Sequence, residues 1–385
     1  MNSRFSQLFT SLFIFSLTSN AQTQISGLIL DSLTQKPIIG VSVSDSRTGK
    51  GTITNEEGQF QIVLYNMPGT LLVSHVAYKK RILDVGNSNF FLKVNLPITA
   101  IHLPEFQTGN PAIAILNTVI RKAVSDSANK HYFKAFYQKV SYFNGKYTKF
   151  QQLFTNVSWS QMGVERWQPL NIRYGQLARQ RHFPQNMIVV PFLYSAVFKN
   201  HKNFPLNPID IRSNYVFSIK HYLNIGTPEE LVVIKCKPSK SNINIVTFEG
   251  ELVVNSQKDL LMRIKGTYSQ KSQKGFHKTT DVDINFKESK EGYSVFDYLY
   301  ISDKATRRLK NYKNEDKIWF YFINESQEFE NKDSRPAFVL KDIKILNETA
   351  YNPLFWKQNI PIKQTKIEEE IIKYFEKKGE FQRNF

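Results

Sequence analysis

Over most of this chain apolar and polar residues alternate with a period of two, the signature of half-buried β-strands. Ile25, Leu28 and Leu30 form a short apolar segment that ends at Asp31, and Thr34 to Pro37 is turn-forming. Val41 and Val43 then alternate with Ser42 and Ser44. Asn55 and Gly58 bracket a turn, because glycine takes positive φ without a Cβ penalty and asparagine hydrogen-bonds its own backbone. Phe60, Ile62 and Leu64 share one face, Leu71, Val73 and His75 alternate again, and Leu92, Val94 and Leu96 make a last strand. Short strands about 8–12 residues apart predict a sandwich.

The pattern changes after Pro97. Periodicity is lost between Ile98 and Asn110, with Pro104 and Gly109 as punctuation, which predicts a linker over residues 101–111. Asn110 and Pro111 supply an N-cap and a first helical residue, and Ile113, Leu116, Val119, Ile120 and Ala123 fall on one helical face. Ala135–Tyr142 and Lys146–Trp159 flank Asn144-Gly145, a strong hairpin signal. Further strands are predicted at Tyr215–Tyr222, Glu230–Lys237, Ile245–Val254, Leu260–Tyr268, Thr280–Lys287 and Tyr293–Ser302, in an antiparallel meander. A last pair is predicted between Lys317–Phe322 and Ala337–Ile345. Residues 165–213 hold Pro169, Pro184, Pro191, Pro205 and Pro208, which predicts an irregular insertion with a short helix at Val189–Lys199. Thr365 to Glu368 is a capping box for a final helix with Ile367, Ile371, Ile372 and Phe375 inward and Gly379 as the stop. Asn352-Pro353-Leu354-Phe355-Trp356 is read as a turn packed under that helix.

Ile25-Ser26-Gly27-Leu28-Ile29-Leu30-Asp31, Thr34 to Val41, Gly51 to Phe60 and Leu71 to Tyr78 together resemble the carboxypeptidase-like regulatory domain. That domain is a small β-sandwich common at the N-terminus of Bacteroidetes envelope proteins. The resemblance implies a seven-stranded transthyretin/Ig-like sandwich over residues 22–100. Ala112–Trp159 and Asn352–Trp356 look like segments that follow the same sandwich in such proteins, some of which continue into an outer-membrane barrel. Phe248–Val254 with Leu260–Ile264 is similar to the open half-barrel of lipoprotein carriers. The expected fold is mainly β: the sandwich, then an α+β unit over residues 112–385 with a large antiparallel sheet, possible as a half-barrel.

Compartment follows from residues 1–21, which carry Arg4, an apolar run from Leu8 to Leu17 and a small-residue end at Ser19-Asn20-Ala21. This is the plan of a cleavable export signal, too short for a membrane span, with cleavage expected after Ala21. No cysteine follows it, so lipidation is not expected, and no later apolar run reaches about 18 residues. The expected destination is the periplasm or the outer-membrane surface. The 30 Phe and 18 Tyr favour sheets over helices. Lys and Arg number 8 against 6 Asp and Glu in residues 1–110, and 43 against 27 in residues 111–385. That excess permits peripheral contact with an anionic envelope surface. The export signal and the lack of a recognisable motif argue against nucleic acid.

Chemistry is sparse. Cys236 is the sole cysteine, so an intramolecular disulfide is excluded, and its apolar setting reads as a buried thiol. The seven histidines (75, 102, 131, 182, 201, 221 and 277) show no zinc-binding spacing, and there is no Gly-x-Ser-x-Gly elbow or P-loop. Asp281 and Asp283 lie on one strand face, able to hold calcium or act as an acid pair, although a solvated sheet face accounts for them. Glu368, Glu369 and Glu370 open a helix, where the dipole favours anions. No catalytic, cofactor or metal residues are therefore assigned. The leading expectation is a non-enzymatic envelope protein that docks, scaffolds or binds an envelope protein, glycan or lipid. The alternatives are a carrier of an apolar ligand, and a hydrolase whose polar residues converge only in the fold.

Overall fold

The structure is a computed structural model, and it describes residues 23–87, 90–103, 110–177, 188–209, 211, 214–239, 246–271, 275–307, 312–338, 348–349, 351–359 and 361–381. The expected export signal lies outside them. β1 (Thr23–Asp31), β4 (Gln59–Leu64) and β7 (Phe91–Leu96) form one layer of the sandwich in the order β4-β1-β7. β2 (Ser42–Asp45), β3 (Gly51–Ile53), β5 (Gly69–His75) and β6 (Tyr78–Val85) form the other, in the order β3-β2-β5-β6. Seven strands are thus present, as the resemblance implies; alternation marks five of them, and β3 and β6 are the additions. Ile25, Ile29, Phe60, Ile62 and Leu64 meet Val43, Leu71 and Val73 between the layers. The turn before β4 forms as read. Asn55 Oδ1 accepts from the Glu57 and Gln59 amides, and Gly58 takes φ +71°.

β8 (Ile101–His102) pairs with β12 (Tyr215–Leu223), so the start of the expected linker is already the edge of a second sheet. The remaining strands are β9 (His131–Phe143), β10 (Lys146–Ser160), β11 (Gly163–Gln176), β13 (Leu231–Pro238), β14 (Thr247–Asn255) and β15 (Leu260–Lys271). β16 (Phe276–Glu288), β17 (Ser294–Arg307), β18 (Tyr312–Glu325) and β19 (Arg335–Pro336) complete them. Their order is β19-β11-β10-β9-β18-β17-β16-β15-β14-β13-β12-β8, and every pair is antiparallel. The sheet is open rather than a closed barrel.

Two expectations are corrected here. The strand at Lys317–Phe322 does not pair with Ala337–Ile345: β18 lies between β17 and β9 and joins two meanders, while Arg335–Pro336 pairs with β11. Of Ala337–Ile345, residues 339–345 lie outside the described residues. The irregular insertion is also shorter than expected, because β11 continues to Gln176 through Pro169. Proline is tolerated there because a bulge at Phe154/Thr155 interrupts the ladder, and β19 covers only Arg166 and Trp167 of the other edge.

α1 (Pro111–Ser125) and α2 (Val189–Tyr194) cover one face of the sheet, where Leu116, Val119, Ile120 and Phe192 pack with Leu153, Leu252, Ile284, Ile301 and Phe320. Asn110 makes no side-chain cap on α1; its Nδ2 donates to the Phe217 carbonyl instead. No helix among the described residues is long and apolar enough to cross a membrane. Gly250 and Gly266 face each other across β14 and β15, and a Cβ on Gly250 would fall 2.3 Å from the Lys265 carbonyl oxygen. The Phe248 ring lies over the gap, 2.7 Å from that same Cβ position, so this face has no room for side chains at either glycine.

The opposite face is covered by the sandwich, by α3 (Pro353–Gln358) and by α4 (Lys366–Lys378). The segment read as a turn is the helix α3, capped by Asn352, whose Oδ1 accepts from the Phe355 amide. Trp356 packs on Phe154. α4 has the expected capping box and a left-handed Gly379. Glu368 does more than cap: it is buried, and its Oε1 accepts from Gln138 Nε2 at 2.6 Å. Burial pushes its carboxyl up to about 7, against the pull of the Thr365 hydrogen bonds and with a smaller push from Glu56. The unfolded value is about 4.3, so the fold favours the neutral acid. That contribution is complete below about pH 4 and is lost as pH rises through 7. Glu368→Gln keeps a capping-box residue without the charge. It is expected to raise the unfolding free energy by about 2 kcal/mol at pH 8 and by little at pH 4, measured by urea denaturation.

Candidate functional site

The sheet face beneath the sandwich is a grid of polar and aromatic side chains set by strand register. Arg263, Asn285, Tyr298 and Tyr321 form one row across β15, β16, β17 and β18. Lys265, Asp283, Tyr300 and Trp319 form the next, then Thr267, Asp281, Ser302 and Lys317. Each row is one pleat step, about 7 Å, from the next. Asp283 is therefore not on a solvated face, while Asp281 stays half-exposed at the edge of the cover. A whole domain forms that cover.

The sandwich is held to this floor at its rim. Thr52 Oγ1 donates to the Pro361 carbonyl at 2.7 Å and Asn55 Nδ2 to the Lys363 carbonyl at 2.9 Å. Ile53 bridges to Ile362 in parallel register and packs among Phe136, Trp319, Tyr321 and Trp356. Lys317 Nζ lies 2.5 Å from Glu56 Oε2. Gly40 has φ +72°, and a Cβ there would lie 2.1 Å from the Tyr298 hydroxyl, so this closest approach of the two domains requires glycine.

Between these contacts a cavity of about 480 Å3 opens along the seam. The sandwich contributes Pro37, Ile38, Ile39, His75, Ala77 and Tyr78, and the sheet contributes Arg263, Lys265, Thr267, Asp281, Asp283 and Tyr300. Its volume falls in the range of small-molecule sites.

Arg263 grips Asp283 with two hydrogen bonds, Nε to Oδ1 at 2.7 Å and a second from its terminal nitrogen to Oδ2. Asn285 Nδ2 adds a third bond to Oδ1 at 3.0 Å. Burial alone would raise the Asp283 carboxyl, but the Arg263 charge and hydrogen bonds outweigh it and hold it at about 2. The same partnership keeps Arg263 charged in spite of its burial. His75 takes an amide proton from Ala77 on Nδ1 at 3.2 Å, while its Nε2 is buried with no hydrogen-bond partner. Burial, with the Arg263 charge beside it, lowers its pKa to about 3, so the ring is neutral. Its unfolded value is near 6.5, and the stability it confers is present above that pH and lost on acidification toward 3. Tyr78 stacks edge-on against His75 and donates to Asp31 Oδ2 at 2.9 Å; burial and that bond raise its hydroxyl to about 12. Lys265 and Asp281 remain half in water, with side-chain exposures of 61% and 49%, and are the charges at the cavity's open side.

The other residues singled out from sequence fall elsewhere. Cys236 is buried in the core under α1 and α2, where burial pushes its thiol up. Glu369 meets Lys363 at 3.0 Å on the surface of α4. His131 lies beside Asp126 at 3.5 Å, His102 is on the sheet edge, and His182 lies outside the described residues. No group of three or more His, Cys, Asp or Glu among the described residues could hold a metal. Arg263, Lys265 and Tyr78 were missed. Their signal was a cationic alternation, Arg263-x-Lys265, on the strand before an anionic one, Asp281-x-Asp283.

Residues 25–106 match the family model of the CarboxypepD_reg-like domain, so the sandwich is a domain of that kind. No curated protein matches the chain. Among solved structures, the tesB protein of Mycobacterium avium subspecies paratuberculosis aligns at 8% identity over 54% of this chain and 85% of its own, with a TM-score of 0.13. The usher PapC translocation pore aligns at 8% identity over 80% of this chain and 77% of its own, with a TM-score of 0.15. Scores this low do not establish a common fold with either.

The pair in the seam makes a direct prediction. Asp283→Asn leaves a buried guanidinium without its counter-charge and is expected to cost about 3 kcal/mol in urea unfolding at pH 7. Replacing both partners, Arg263→Met with Asp283→Leu, is expected to recover more than half of that loss. A double variant as unstable as the sum of the single variants would refute the pairing.

Proposed function

We propose that this chain is a non-enzymatic, exported envelope protein in which sandwich and sheet together form one binding unit, with the seam cavity as its ligand site. The observation that carries this reading is the origin of the cavity's walls. Neither domain has the site alone, because the sandwich supplies an apolar lip and His75 while the sheet supplies the charged floor. The regulatory-like sandwich is of a non-catalytic kind, and this agrees. Export rests on the leader pattern of residues 1–21, and the basic excess of residues 111–385 suits an anionic envelope.

The polar groups of the seam favour binding over hydrolysis. Asp283 is held by Arg263, the Thr267 hydroxyl donates to Asp281 at 2.7 Å, and the His75 nitrogen that accepts a proton is occupied by Ala77. No hydroxyl or thiol nucleophile stands against a free base in this arrangement. The carrier reading is supported less, since α1, α2 and large side chains such as Phe192, Phe248, Phe296 and Phe320 fill the apolar face of the sheet.

Native mass spectrometry of the protein isolated from a bacterial envelope tests the proposal, compared with Thr267→Arg, which fills the cavity from its floor. A stoichiometric small molecule on the natural protein and its loss from the variant is the expected result. Equal loading of both, or an empty natural protein, would overturn the seam as a ligand site.

A further inference from the structure

The lining of the seam cavity holds two cations, Arg263 and Lys265, and two carboxylates, Asp281 and Asp283. All four already have partners. Arg263 holds Asp283 with two hydrogen bonds, and Lys265 Nζ stands 3.8 Å from the same carboxylate. Asp281 accepts from the Thr267 hydroxyl at 2.7 Å and faces Lys304 Nζ at 3.6 Å. With His75 neutral, the lining carries no net charge. An anion entering here would compete with Asp283 for its cations, and a cation would compete with Arg263 for Asp283. A purely apolar ligand would strip water from these pairs and return no hydrogen bonds.

One donor in the wall is unmet. His75 Nδ1 accepts from the Ala77 amide, so the proton of the neutral ring is on Nε2, and that nitrogen is buried with no hydrogen-bond partner. Buried donors in native proteins almost always meet an acceptor, and here it has to come from outside the chain. An extended peptide cannot supply it by strand addition. β15, β16 and β17 in the floor are each paired on both sides, and on the sandwich wall Tyr78 is bridged to Ile98. Recognition therefore rests on side chains, and the ligand must bring its own donors and acceptors.

We infer that the seam takes a neutral saccharide, an inference that rests on the seam being the ligand site. A hydroxyl both donates and accepts, so a ring of hydroxyls can accept from His75 Nε2 and Lys265 and donate to Asp281 without breaking either ion pair. The C–H faces of the sugar find apolar partners in Ile38 and Ile39 and in two tyrosine rings, Tyr78 from the sandwich and Tyr300 from the sheet. At about 480 Å3 the cavity lies in the lower half of the range of small-molecule sites, about 300–1,000 Å3. That size suits a monosaccharide, a disaccharide or the end of a longer glycan.

Ligand-observed NMR of the full chain with glucose, galactose, mannose, N-acetylglucosamine and maltose tests the assignment. Glucuronate serves as an anionic probe, glucosamine at pH 6 as a cationic one and hexanol as an apolar one. At least one neutral sugar is expected to bind at least tenfold more tightly than every charged or apolar probe, and Thr267→Arg is expected to abolish that binding. His75→Phe keeps a ring without the donor and is expected to weaken binding at least tenfold. His75→Gln keeps an N–H and is expected to weaken it less than threefold, with thermal unfolding confirming that each variant is folded. Binding of a charged or apolar probe alone, lost in Thr267→Arg, would overturn the saccharide and leave the seam as a ligand site. Sugar binding that survives Thr267→Arg would overturn both. Failure of every neutral sugar to bind, or equal affinity in the natural and His75→Phe proteins, would overturn the saccharide assignment.

Discussion

The face of the long sheet that carries Arg263 and Asp283 is too charged for an ordinary core and too aromatic for water. Tyr298, Tyr300, Trp319 and Tyr321 lie in the same grid as two carboxylates and three cations. Such a surface is stable only under a cover that supplies partners as well as apolar area. The sandwich meets this demand with Ile39 and Ile53 against the rings, Glu56 against Lys317, and Gly40 against the Tyr298 hydroxyl. A hydrophobic lid would strand the charges, and a fully polar one would leave the aromatics wet.

The two faces of the sheet follow different rules in consequence. One is filled by helices and large apolar side chains. The other is closed by a separate domain whose fit is imperfect, and the misfit is the seam cavity. Interfaces between domains are frequent places for ligand sites because both partners contribute rigid walls without either having to be hollow. Here the strongest charges, Arg263 and Asp283, are spent on each other, while Lys265 and Asp281 stand half-exposed at the open side.

Much of this was legible in the sequence. Alternation marked five of the seven sandwich strands and most of the long sheet, missing the three-residue β3 and the mostly exposed β6, and Thr365, Glu368 and Gly379 marked both ends of the last helix. Pairing was not legible where it is non-local. Nothing near Lys317–Phe322 says that its neighbour is β9, some 180 residues earlier, because period-2 patterns specify a face and not a partner. Pro169 misled because a proline is read as a breaker unless the bulge beside it is known. The seam was hidden for a related reason. A charged strand face looks solvated from sequence alone, and Asp283 became a buried residue only through a domain about 200 residues away in the chain.

Native-state hydrogen exchange across a urea series, read by mass spectrometry, tests most directly whether sandwich and sheet are one unit. The account predicts that core amides of β2 and β5 in the sandwich and of β15 and β16 in the sheet open with the same free energy and the same urea dependence. Sandwich amides that open at clearly lower urea, with β15 and β16 still protected, would show a loosely tethered module and contradict the account.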